Sequence, residues 1–286
     1  MKALTSTTVL ADKFAFLEGP RWRDNKLWVS SMYANTVYAL SEDGQREKVV
    51  TLNDHPSGLG WLPDGTLIIV SMHEQKLLKL VNNALQEHSD ISHLVNSPIN
   101  DMVIDKKGNA YVGNVGFNFF EGEKFKPTNL VLVKPNGAAR EVAQGLAVPN
   151  GPVVTPDGKT LVVAESWGKK LSAFDIAEDG SLSGQRVWAD LKGLASPDGI
   201  CMDAEGAIWV ANFTGHNFIR VEEGGNISHR VNIDTDRAPV ACTLGGSDGC
   251  TLFMLTYKGL IADAGPDQLF ARIETIKVDV AASGSP

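Results

Sequence analysis

The sequence predicts an all-β fold, a six-bladed β-propeller, and three observations carry that expectation. A hairpin-like unit recurs six times along the 286 residues. Its copies start about 39 to 50 residues apart, the period range of a propeller blade. No stretch of helical periodicity separates the copies, which argues against a parallel α/β sheet.

The unit is clearest where Ala195-Ser196-Pro197-Asp198-Gly199 leads through Asp203-Ala204-Glu205-Gly206 to Ile208-Trp209-Val210. A short strand, a tight turn whose glycine takes positive φ, and a second strand make a hairpin. Other copies run from Glu18-Gly19-Pro20 to Leu27-Trp28-Val29, and from Ser57-Gly58-Leu59 through Pro63-Asp64-Gly65 to Leu67-Ile68-Ile69-Val70. Then come Asn100-Asp101-Met102 through Lys107-Gly108 to Tyr111-Val112, and Asn150-Gly151-Pro152 through Pro156-Asp157-Gly158 to Leu161-Val162-Val163. The weakest copy runs from Ala241-Cys242-Thr243 through Asp248-Gly249 to Leu252-Phe253-Met254. The first copy, with Asn25 in place of the turn glycine, is one residue shorter than the others. After each second strand a polar turn leads to another apolar run, such as Thr36-Val37-Tyr38-Ala39-Leu40, so each unit holds three or four strands. Six four-stranded units set radially leave only short, protected edges.

In chain order, residues 4–16 precede the first repeat yet look strand-like at Thr8-Val9-Leu10 and Phe14-Ala15-Phe16. They are expected to join the last blade and close the ring, making residues 1–286 a single domain. Blade two brings His55 and His73, lone histidines that read as surface or hydrogen-bonded residues before they read as ligands. Blade three carries an insertion at 116–127 with Phe117, Phe119, Phe120 and Phe125, too apolar for a free excursion into solvent. Either it folds over a neighbouring blade or it covers a ligand site. In blade four, Ala164-Glu165-Ser166-Trp167-Gly168 misses the Gly-x-Ser-x-Gly nucleophile elbow by its first residue. It also follows a strand with no helix behind it, so Ser166 is rejected as a hydrolase nucleophile.

A net charge of −8 argues against a nucleic-acid partner, whose phosphates need clustered Lys and Arg. The longest apolar runs are strand-sized, so no membrane span is expected. The first residues lack a signal peptide's apolar region, and the expected location is cytoplasmic. Cys201, Cys242 and Cys250 then read as reduced thiols, not a disulfide frame, and the sequons at Asn212 and Asn226 carry no glycan.

If each innermost strand begins at the same repeat position, Glu18, Ser57, Asn100, Asn150, Asp198 and Ala241 point at the central channel together. Asn and Asp before Gly are ordinary turn formers. Glu18 has no such preference, yet stands at the same phase. Two acids and two amides gathered in a narrow channel without a cation would also carry a large desolvation cost. An all-oxygen set suits a hard divalent cation, Ca²⁺ first, then Mg²⁺ or Mn²⁺; Zn²⁺ could bind but is not what these ligands select.

The segments Leu17-Glu18-Gly19-Pro20, Ile99-Asn100-Asp101-Met102, Val148-Pro149-Asn150-Gly151 and Ser196-Pro197-Asp198-Gly199-Ile200 resemble signature positions of the SMP-30/gluconolactonase/LRE-like family, in order along essentially the whole chain. The resemblance implies a six-bladed propeller with one catalytic divalent metal in its channel. It implies Glu18, Asn150 and Asp198 as metal ligands, Asn100 as a contact to metal or substrate, and Asp198 as the acid that drives hydrolysis. A cation there would polarise a lactone carbonyl, and Asp198 would activate the attacking water as general base. Direct attack by Asp198, or by a hydroxide formed at the cation, stays open.

Sugar-lactone members tend to carry arginine two positions before the third-blade asparagine, where this chain has Pro98. Together with the phenylalanine-rich loop, this tilts the expected small-molecule substrate toward a less hydroxylated lactone or ester, with gluconolactone-type substrates still naming the class. Competing readings are phosphotriester or fluorophosphate hydrolysis at the same site, and a calcium-binding propeller without catalysis.

Overall fold

The computed structural model describes residues 1–118, 121–193 and 195–284. Strands form six sheets, five of four strands and one of five, set as the blades of a six-bladed β-propeller. Their innermost strands are Leu17–Arg23, Pro56–Trp61, Ile99–Ile104, Pro149–Val154, Pro197–Met202 and Arg237–Gly245. Among the described residues no helix is long and apolar enough to cross a membrane.

The near-continuous apolar second strands are explained by what covers them. In Leu67–Ser71 the side chains alternate: Ile68 and Val70 pack toward blade three, Leu67 and Ile69 toward blade one. Both faces are buried, so alternation of apolar with polar residues disappears. The same holds around the ring, where one apolar cluster fills each junction between adjacent blades. Aromatic pairs reinforce two junctions, Trp28 with Trp61 at 5.3 Å and Trp22 stacked on Phe253 at 5.1 Å.

The hairpin turns behave as their residues dictate. Gly65 has φ of 86° and donates its N–H to the Leu62 carbonyl at 2.9 Å. A β-carbon there would be strained. In blade one, Asp24 and Asn25 both take positive φ, at 52° and 56°, the two-residue turn that accounts for the shorter first copy.

Two N-terminal strands join different blades. Thr8–Phe14 pairs antiparallel with Ala271–Lys277 in blade six. Lys2–Leu4 pairs in parallel with Ile227–Asn232, the outer strand of blade five, an addition that its three residues did not announce.

One irregularity recurs in all six blades. Each innermost strand carries one extra residue relative to its neighbour near its start, between Glu18 and Arg21, Pro56 and Leu59, Ile99 and Met102, Asn150 and Pro152, Pro197 and Ile200, and Pro239 and Ala241. Such a bulge bends the strand and re-aims side chains. The bulges also correct the phase assigned to blade six. Pro239 pairs with Thr256 as Pro197 pairs with Asn212 and Pro149 with Glu165, so the position equivalent to Asp198 and Asn150 is Val240, not Ala241. Ala241 instead continues the column of Gly19, Gly58, Gly151 and Gly199, lying directly against Gly199.

Candidate metal centre at the hub

The structure brings Asn100, Asn150 and Asp198 together from blades three, four and five. Ser57 donates through Oγ to Asn100 Oδ1 at 2.9 Å, and Asn100 Nδ2 donates to Asn150 Oδ1 at 3.1 Å. Asn150 Nδ2 in turn donates to Asp198 Oδ1. Donors thus run one way, across four blades, and end on a carboxylate. Glu18 is buried beside them, its carboxyl accepting from the Gly19 N–H and interacting with Asp198.

Both acids are strained by their setting. Burial, then the neighbouring charges of Asp198 and Asp101, push the Glu18 carboxyl well above the usual carboxylate range. Asp198 is pushed up to about 8, first by burial and then by Asp101, against the pull of the Asn150 and Gly199 hydrogen bonds. Arg21 draws Glu18 down, but is the weakest of these influences. Its guanidinium is committed to Asp101 at 2.9 Å and to the Met102 and Pro20 carbonyls.

This donor set fits a hard cation. Two buried carboxylates lie close together without an ion-pair partner of their own among the described residues, and two carboxamides adjoin them. Asp198 receives the positive N–H edge of Asn150. Among the described residues no group of three or more His, Cys, Asp or Glu is arranged to hold a metal. A site here would therefore depend on the carboxamide oxygens of Asn150 and Asn100 to complete its shell, which favours Ca²⁺-like ions over Zn²⁺.

The same rim of the ring carries the loops that join second to third strands, because the second strands run antiparallel to the innermost ones and so end at that rim. His55 and His73 meet there, ring centroids 5.2 Å apart, with Tyr33 5.0 Å from His55. His55 Nδ1 is hydrogen-bonded to Asn35 Oδ1 at 2.8 Å. Ser166 donates its hydroxyl to the Pro197 carbonyl at 2.7 Å, so its proton is committed and it is not poised as a nucleophile. From the insertion at 116–127, Phe117 and Phe125 pack on Trp167 of blade four. The expectations for Phe119 and Phe120 lie outside the described residues.

Sequence reasoning missed Arg21 and Asp101, which bracket the hub, and Trp167, which lies on the same rim in the loop after the second strand of blade four. Arg21 lies three positions after Glu18 on the bulged strand, a spacing with no recognised meaning without the pairing. A surface cavity of about 630 Å³ flanks blade three between Leu94, Lys126, Asn129 and Glu141, and shares no residue with the hub. The hub is preferred as the site because two acids destabilised by burial and by the charge of Asp101 lie there.

The sequence profile described as SMP-30/Gluconolactonase/LRE-like region matches residues 16–258. Regucalcin of Gallus gallus is 23% identical over 270 residues, covering 89% of this chain and 87% of that protein. A pentonolactonase of Haloferax volcanii is 22% identical over 295 residues, covering 99% and 97%. A crystal structure of a calcium-binding protein, regucalcin, from Agrobacterium tumefaciens superposes with a TM-score of 0.82 at 20% identity, covering 100% of this chain and 97% of that one. With the profile spanning all six innermost strands, the chain belongs to the SMP-30/gluconolactonase/LRE-like family.

Proposed function

We propose that this protein is a metal-dependent hydrolase that opens a lactone, with Glu18, Asn150, Asp198 and Asn100 holding one divalent cation, Ca²⁺ by preference. The observation that carries the reading is the pair of buried acids, Glu18 and Asp198, both destabilised by burial and by the charge of Asp101, with Asp198 acting on Glu18 as well, beside two carboxamides. Relatives named lactonase, including the pentonolactonase, support the reaction class. When bound, the cation would supply Lewis-acid polarisation of the lactone carbonyl and charge to offset the developing oxyanion.

The chain's own groups do the rest. Asp198 takes a proton from a water as the water oxygen bonds to the carbonyl carbon, and returns it to the ring oxygen as the acyl–oxygen bond breaks. The products are a carboxylic acid and an alcohol in one molecule, and the balance needs no other reactant. Asn150 keeps one Asp198 oxygen fixed by its hydrogen bond, and Asn100 holds Asn150 in turn.

Metal analysis of the purified protein, joined to a pH-indicator screen of varied lactones with and without chelator, tests the proposal. Acid release that the chelator stops and a divalent cation restores is the expected result. Silence across the whole panel in metal-loaded protein would remove the lactonase reading.

A further inference from the structure

The rim around the hub carries different side chains on different blades. Trp167 directly follows Ser166, whose hydroxyl lies 3.5 Å from Asn150 Nδ2, so the indole stands one residue from the chain of hydrogen bonds that ends on Asp198. Trp167 is 52% exposed and Phe125 45%, and their rings are parallel within 9° at 5.9 Å. Phe117, buried beneath, meets both edge-on at 4.9 and 5.7 Å. Singly exposed aromatics are common on protein surfaces. Two stacked rings held from below by a third, on the rim where the acids lie, make a supported apolar face that is about half exposed. Blades one and two carry a more polar cluster on this rim: Tyr33, His55 and His73 pack edge to face, and Asn35 is hydrogen-bonded to His55.

We propose that Trp167 and Phe125 form a recognition shelf for an apolar substituent, so that the favoured substrates are lactones bearing an alkyl or aryl side chain. This specificity rests on the lactonase reading of the hub. Ring opening takes place at Asp198 while the side chain lies on the indole, removing apolar surface from water at both partners.

The test compares γ-nonanolactone, which carries a pentyl chain, with γ-butyrolactone, which carries none, in wild type, Trp167→Ala and Phe125→Ala. Because both lactones are measured in the same preparation, a partly misfolded variant does not distort their ratio. Wild type is expected to prefer γ-nonanolactone in kcat/KM, and each substitution to cut that preference about tenfold. A preference unchanged by both substitutions, or absent in wild type, overturns the shelf. Calorimetric binding of the non-hydrolysable lactam analogue of γ-nonanolactone separates the two layers. If no lactone is hydrolysed but the lactam binds to wild type and not to Trp167→Ala, the shelf stands and the lactonase reading falls. If wild type hydrolyses neither lactone and fails to bind the lactam, the shelf falls as well.

Discussion

Arg21 of blade one and Asp101 of blade three form a buried ion pair, with 2.9 Å between Nη2 and Oδ1. Asp101 stands in the column that other blades fill with Gly19, Gly58, Gly151, Gly199 and Ala241, one position past the hub residue Asn100. The pair consumes the positive charge nearest the channel. Among the described residues Glu18 and Asp198 are left without an ion-pair partner of their own, Arg21 drawing Glu18 down only weakly, the condition under which a small cation binds well.

Breaking this pair from one side should destabilise far more than removing both partners. Asp101→Leu or Arg21→Met leaves a buried charge uncompensated, at an expected loss of about 3 to 5 kcal/mol. The double variant Arg21→Met/Asp101→Leu should regain part of that loss, a non-additivity read by urea unfolding of the four proteins. Equal and additive losses would mean that the pair is not coupled.

The two hub acids are expected to separate binding from turnover. Asp198→Asn keeps the shape and a partner for Asn150 but removes the base, and turnover should fall by a factor of about 100 or more. Glu18→Gln removes a charge with no assigned proton-transfer role, so divalent affinity should weaken by an order of about ten or more, with turnover at saturating cation less affected. Calorimetric titration of the cation beside initial rates distinguishes the two patterns. Asp198→Asn at wild-type turnover would return the site to a cation-binding role alone.

Stability of the metal-free protein should carry the signature of acids whose folded pKa is raised. Asp198 titrates near 3.8 when unfolded and about 8 when folded, so between these values the folded state holds a proton that the unfolded state has lost. Its contribution is complete below pH of about 4 and lost as pH rises through about 8, and Glu18 acts in the same direction. Metal-free wild type should therefore lose melting temperature more steeply over that window than Asp198→Asn. A divalent cation should recover the most stability at the alkaline end, where no proton competes for the carboxylates. Parallel slopes in the two proteins would contradict the raised value.

The ring was legible because its signal is periodic. Turn glycines at Gly65, Gly108, Gly158, Gly206 and Gly249 recur at one offset, and each reports a local backbone need. The hub was legible where Asn and Asp preceded Gly, and at Glu18. It failed by one residue in blade six, where Val240 carries no chemical mark and only the bulge between Pro239 and Ala241 sets the phase. The Arg21–Asp101 pair and the Trp167–Phe125 stack were hidden because each joins residues from different blades. Nothing local in the chain requires either of them.

Tight spacing of the innermost strands leads to a last expectation, at Gly199. A β-carbon there would lie 2.7 Å from the α-carbon of Ala241 and closer still to its methyl group, with backbone on one side and no flexible side chain to yield. Gly199→Ala must therefore push blades five and six apart at the hub. The expected cost is about 1 to 3 kcal/mol, since the clash falls in a close-packed junction. It also moves Asp198, one residue away, relative to Asn150, so cation affinity should fall along with stability. Adding Ala241→Gly removes the clash with the methyl group but leaves the one with the backbone, and should restore part of both. Thermal unfolding and cation titration of the single and double variants read the effect. Gly199→Ala with wild-type stability and affinity would mean that the hub has slack, and with it the reason for a small residue at this position in five of six blades would be lost.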